Sequence, residues 1–284
     1  MTAPDLERQV WALTGAAGVI ASSIRPGIAE RVSALRLLDI ETVAPSAPNE
    51  EYRAADLRDQ DALEAALAGA HGVLHLGGVA DEADFHDLAE VNIVGSFHVF
   101  EAARRCGLKR VVYASSNRLT GFYGTATTLT ADMPVRPDGL YGVSKVAGEA
   151  LGRLYADKFG LEVANLRIGS FEPAPQDVRQ LSTWLSPADC LRAFLAAMTT
   201  PSLAYATFYA VSANTRRWWD IEEGRALGYT PRDDAELYAP AILAGQPALG
   251  EAPLADRQGG VYATPEYTLE RQRPASSRGP VRRE

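Results

Sequence analysis

Cysteine is nearly absent: Cys106 and Cys190 are the only two in 284 residues and form no CxxC pair. No disulfide framework is expected, and each reads most simply as a small buried apolar residue. Histidine is scarce too; His71, His75, His86 and His98 show no ligand spacing backed by cysteine or carboxylate, so no metal site is predicted. Positive charge is in deficit, 28 Lys and Arg against 36 Asp and Glu for a net charge of −8, which argues against a nucleic-acid surface. No apolar run approaches the ~20 residues that a membrane helix needs, so no membrane partner is expected. Met1 to Arg8 is polar and acidic, without the apolar core of a signal peptide. A cytoplasmic protein is the expectation. The rest is ordinary for a globular chain: 46% hydrophobic and 23% charged, enough for one large α/β domain.

The first half alternates short buried strands with helical segments. Gln9–Thr14 (QVWALT) reads as a strand and runs into Gly15-Ala16-Ala17-Gly18-Val19-Ile20-Ala21, which opens a helix that Pro26 is expected to shorten or kink. Glycines Gly15 and Gly18 between strand and helix let the backbone approach a pyrophosphate, which then faces the helix N-terminus at Val19 and Ile20. Ala21 stands where the fingerprint has its third glycine. An ordinary strand–turn–helix fits these residues as well. A second strand, Ala34–Asp39, ends in a carboxylate where a dinucleotide fold accepts the adenosine ribose hydroxyls. Ile40 and Glu41 follow, with no arginine or lysine for a 2′-phosphate, so the pattern favours NAD over NADP. An aspartate in that place is also a routine turn former.

Asp56-Leu57 follows a short extended segment, and residues 72–76 read as a strand ending at Leu76, Gly77 and Gly78, where glycine leaves room for a cofactor. One long amphipathic helix, Phe85 to Arg105, is expected to carry Asn92. Arg110–Ser115 is another buried strand, with Ser115-Ser116-Asn117 at its end. This rhythm predicts a Rossmann-type, doubly wound parallel sheet with ligands at the carboxyl ends of its strands. Tyr141 and Lys145, four apart, share one face of a helix, and an ammonium beside a phenol draws its pKa down from ~10. The same pair also suits the exposed face of a surface helix.

Together the GAAGVIA turn, Asp39, Asp56-Leu57, LGG at 76–78, Asn92, YASSN at 113–117 and YGVSK at 141–145 resemble the extended short-chain dehydrogenase/reductase family. Within it the likeness is to the bacterial uronate dehydrogenases, carried by HLGG (75–78), ASSN (114–117), RPDGLYGVSK (136–145), RIGS (167–170), RQLSTW (179–184), SANTRRWWD (212–220) and RQGGVY (257–262). The resemblance implies NAD-dependent oxidation of galacturonate or glucuronate at C1 to the aldarolactone. It implies Tyr141 as base, with Lys145 lowering its pKa and holding the nicotinamide ribose and Ser116 fixing the reacting oxygen. Asp56, Leu57, Leu76 to Gly78 and Asn92 join the cofactor set. Arg179 matches an arginine for the substrate carboxylate and Ser170 the accompanying hydroxyl. Asn117 faces sugar hydroxyls. Two positions depart from the family: Ala80 replaces a serine and Arg118 a histidine. Arg118 either adds a second positive charge to the site or points to solvent. Read from residues alone, Arg179 equally suits a surface salt bridge and Asn117 a turn.

Residues 1–270 are expected to form a single NAD-binding domain, with substrate-covering segments at about 170–185 and 205–270. Trp218 and Trp219 are expected to pack on the sheet edge or a neighbouring subunit, beyond a strand at Thr207–Val211. A disordered tail is predicted over 271–284, where RQRPASSRGPVRRE carries five arginines. A homo-oligomer is expected. Two other functions share the same residues: a nucleotide-sugar epimerase or dehydratase that retains its NAD, and a non-catalytic NAD-binding sensor.

Overall fold

The computed structural model describes residues 5–201, 203–245 and 256–272; the predicted tail lies outside them except for Arg271 and Gln272. The first half runs β1 (Val10–Thr14), α1 (Val19–Ala29), β2 (Ala34–Asp39), β3 (Glu50–Ala54), α2 (Gln60–Leu67) and β4 (Gly72–His75). The chain continues through α3 (Phe85–Asp87), a π-helical turn (Leu88–Val94), α4 (Gly95–Arg105), β5 (Arg110–Ser116) and α5 (Leu140–Phe159). It then forms β6 (Glu162–Ile168), β7 (Ser170–Phe171), α6 (Gln180–Thr183), β8 (Trp184–Leu185), α7 (Pro187–Thr199) and β9 (Tyr205–Ala210). Seven strands form one sheet in the order β3-β2-β1-β4-β5-β6-β9, with every pairing parallel. The order reverses between β1 and β4, which opens a crevice at the carboxyl ends of those strands.

The strands are apolar on both faces because both are covered. On one side Leu13, Leu35, Leu37, Leu74, Val112 and Leu166 pack with Ile24 and Ile28 of α1 and Phe194 of α7. On the other, Ala12, Leu38, Val73, Val111 and Val163 pack with Leu63 of α2 and Val99 and Phe100 of α4. Burying each such leucine or phenylalanine contributes about 1.5–3 kcal/mol.

Three expectations change in detail. Pro26 does not end α1, which runs one further turn to Ala29. The predicted 85–105 helix is continuous but changes to π winding over Leu88–Val94, the stretch that holds Asn92 at 2% exposure. The edge strand begins two residues earlier than Thr207. Trp219 stacks on Tyr209 of that strand (centroids 5.0 Å apart, 8° between planes), so the tryptophan pair does pack against the sheet edge.

Candidate active site

The glycine turn after β1 is built for close approach. Gly15 sits at φ +67°, where a side chain is strained, and a Cβ there would stand 2.7 Å from Gly77 Cα. Gly15→Ala is therefore expected to cost about 1–3 kcal/mol of stability and to weaken NAD binding; an unchanged Tm and Kd would show that the turn relaxes freely. Gly18 caps α1 with no side-chain bond, and the first turn of α1 holds no acid. Asp39 lies across the turn. Its Oδ2 accepts from Ala17 N at 3.0 Å and its Oδ1 from Glu41 N at 2.9 Å, which aims the carboxylate over the glycine loop. This cradle of glycines, a helix N-terminus and one acid fits a dinucleotide.

Farther along the crevice, Asp56 pairs with Arg58 at 2.7 Å, and Leu57 packs beneath Gly77 and Gly95. Gly77 N donates to Thr14 Oγ1, which also meets His75 Nδ1 at 2.8 Å. Burial pushes the His75 imidazole down to about 3, so it stays neutral. Asn92 spends its amide internally: Oδ1 accepts from Val79 N at 2.7 Å, and Nδ2 donates to Val79 O and to Ser144 Oγ.

α5 brings Tyr141 and Lys145 onto one buried face against the end of β5, and a Cβ on Gly148 of that helix would collide with the Tyr113 ring. Lys145 Nζ donates to Ala114 O at 2.9 Å and stands 5.7 Å from the centre of the Tyr141 ring. Ser116 lies close enough to the Tyr141 phenol to favour its phenolate. The surface-helix reading of the pair is thereby excluded. Burial dominates both ionisations: it raises the phenol to about 12 against the opposing pull of Ser116 and Arg118, and lowers the ammonium to about 8. The expected lowering of the phenol is therefore absent from the cofactor-free chain, because desolvation outweighs the nearby cations.

Ser170 and Arg179 meet from β7 and the residue before α6: Arg179 Nη1 donates to Ser170 Oγ at 3.3 Å, and Nε to Gln258 O at 2.7 Å. Arg179 forms no ion pair among the described residues, and burial lowers its pKa. Arg118 differs. Its side chain is 7% exposed, so it does not point to solvent, and it meets Asp138 at 2.5 Å, Asp81 at 3.1 Å and Glu82 at 3.6 Å. Its charge is already answered by acids. Tyr262 lies between the two guanidinium groups, 4.2 Å from Arg118 and 5.2 Å from Arg179.

Comparison with known proteins fits this geometry. The profile of the NAD dependent epimerase/dehydratase family matches residues 11–188. A uronate dehydrogenase of Pseudomonas syringae is 40% identical over 88% of this chain and 91% of its own length. The chain belongs to the NAD-dependent epimerase/dehydratase family, and within it to the uronate dehydrogenases. A relative of the same name from Agrobacterium fabrum is 43% identical over 80% of this chain and 85% of its own. The crystal structure of uronate dehydrogenase from Agrobacterium tumefaciens superposes with a TM-score of 0.86 at 40% identity, over 90% of this chain and 97% of that one. A tyrosine-to-alanine mutant of that protein was solved in complex with NAD.

Against this uronate dehydrogenase scaffold, several residues at the site had no role assigned from sequence. Asp81, Glu82 and Asp138 surround Arg118, and the stretch 256–272 folds over it, with Tyr267 donating its hydroxyl to Asp81 Oδ2 at 2.5 Å. RQGGVY at 257–262 marked that stretch as shared with the family, but no spacing linked it to Arg118 or Arg179.

Proposed function

We propose that the chain oxidises the C1 hydroxyl of a cyclic hexuronic acid, galacturonate or glucuronate, to the aldarolactone. The observation that carries this reading is Arg179, a half-buried guanidinium that forms no ion pair among the described residues, in a site that also holds Ser116, Tyr141 and Lys145. NAD, when bound, supplies the acceptor for the C1 hydride and leaves as NADH. The hydroxyl proton passes to Tyr141 as phenolate. Ser116 holds the reacting oxygen, Lys145 holds the nicotinamide ribose, and Gly15, Gly18, Val19, Ile20 and Asp39 line the dinucleotide path. Arg179 and Ser170 hold the carboxylate in this reading, and Asn117 the ring hydroxyls. Likeness to the uronate dehydrogenases over most of the chain favours this over a retained-NAD epimerase or a non-catalytic sensor. No helix among the described residues is long and apolar enough to cross a membrane.

The test is absorbance of NADH on mixing protein and NAD with galacturonate, glucuronate and their neutral parent sugars. Much faster reduction with the uronates than with the neutral sugars is expected; reduction with none removes the substrate assignment. Asp39 supplies a further check. A carboxylate that accepts from ribose hydroxyls also repels a 2′-phosphate, so Asp39→Ala should reduce the preference for NAD over NADP by about 10- to 100-fold. Equal kcat/KM with the two cofactors in the unaltered protein would overturn the role of Asp39.

A further inference from the structure

The helix carrying Tyr141 and Lys145 has no cap of its own. Gly139 stands at its cap position without a side chain, and its first turn contains no acid. The first-turn amides instead donate to a residue 58 positions upstream: Leu140 N to Glu82 Oε1 at 2.8 Å and Tyr141 N to Glu82 Oε2 at 3.1 Å. The Glu82 side chain has 0% exposure, and Arg118 Nη2 faces it at 3.6 Å. A Cβ on Gly139 would collide with Glu82 Oε2, so glycine there leaves room for the carboxylate. Two charge-assisted hydrogen bonds at a positive helix end, in a water-free place, fix the backbone of Tyr141 itself.

We propose that Glu82 is a positioning residue for the reaction: it caps the α5 N-terminus across the chain and sets Tyr141 against the loop that follows β4. The inference rests on the reading of Tyr141 as base. The same loop is pinned to α5 a second time, since Asn92 Nδ2 bonds both Val79 O and Ser144 Oγ, and Ser144 Oγ donates to Tyr141 O at 2.7 Å. Gly77 on that loop lies against Gly15 of the glycine turn, so the two attachments tie the helix of Tyr141 to the cofactor path. A misplacement of about 1 Å is enough to slow a reaction on the order of 100-fold.

The experiment compares Glu82→Ala and Glu82→Gln with the unaltered protein, each normalised to NAD-binding sites. Glu82→Ala is expected to lower kcat about 10- to 100-fold with little change in Kd for NAD. The isotope effect on kcat with C1-deuterated galacturonate should rise, because hydride transfer becomes slower. Glu82→Gln keeps the volume but leaves one amide without an acceptor, so a loss of about 3- to 10-fold is expected. A purely stabilising cap would lower Tm and leave kcat and the isotope effect per site unchanged, and that result overturns the proposal. If Glu82→Ala does not fold, Glu82→Gln decides: kcat within about twofold of the unaltered protein refutes it. Tyr141→Phe in the same assay separates the two ideas. Collapse of Tyr141→Phe with normal Glu82 variants refutes the cap alone, whereas normal turnover of Tyr141→Phe refutes the base.

Discussion

Tyr141→Phe is expected to lower kcat by about 1000-fold while leaving the Kd for NAD nearly unchanged, since a positioned general base contributes roughly 10²–10⁴-fold. The substitution deletes a single oxygen from a side chain that is 8% exposed and packed beneath Arg118 and Lys145. Ring volume and helix register survive. The hydroxyl is the only group removed, so the loss falls on the chemical step. The pH dependence carries its own sign. Burial raises the phenol to about 12 in the cofactor-free chain, so the phenolate is the minor species at neutral pH. Below that pKa the phenolate fraction grows tenfold per pH unit, so the rate of uronate oxidation should climb as the medium becomes alkaline. Lys145, lowered by burial to about 8, loses its charge over the same range. The profile should bend over rather than rise indefinitely. Substantial turnover by Tyr141→Phe, with an unaltered pH profile, would move the base elsewhere.

What the sequence made legible is what local pattern encodes. The strand Ala34–Asp39 matches the structure residue for residue and Arg110–Ser115 to within one residue, because a sheet covered on both faces leaves largely apolar runs. The polar punctuation at their ends, from Gly15 to Ser116, lines one edge of the sheet for the same reason. The π turn around Asn92 was not legible: one extra residue per turn leaves the amphipathic pattern of 85–105 almost intact, and only the demand that Asn92 reach Val79 and Ser144 reveals it. The acids around Arg118 were hidden by distance along the chain. Asp81, Glu82 and Asp138 come from two loops, and no periodicity relates them. Arg118 could be read as a free charge or a solvated one, whereas burial with several carboxylates is a property of tertiary packing alone.

That difference between the two arginines yields the second large effect. Arg179→Ala is expected to reduce kcat/KM for galacturonate or glucuronate by about 100- to 1000-fold, mainly through KM, with NAD affinity preserved. Arg179 Nε and Nη1 are held by Gln258 O and Ser170 Oγ, and Tyr262 covers the group, so its orientation is set before any ligand arrives. No acid among the described residues forms an ion pair with it; Asp138 and Asp177 act only at longer range and desolvation still lowers its pKa, so an incoming carboxylate gives this half-buried cation a direct partner. Arg118 has the opposite balance, enclosed by Asp81, Glu82 and Asp138, and its charge has little left to offer an anion. Arg179→Lys should recover only part of the loss, because a point charge cannot reproduce the planar fork. The decisive comparison is with a neutral parent sugar, on which the weak activity of the unaltered protein should be indifferent to Arg179→Ala. Equal losses on charged and neutral substrates would mean that Arg179 shapes the site through Gln258 and Tyr262 and does not bind the carboxylate. Unchanged uronate kinetics would take it out of the site altogether.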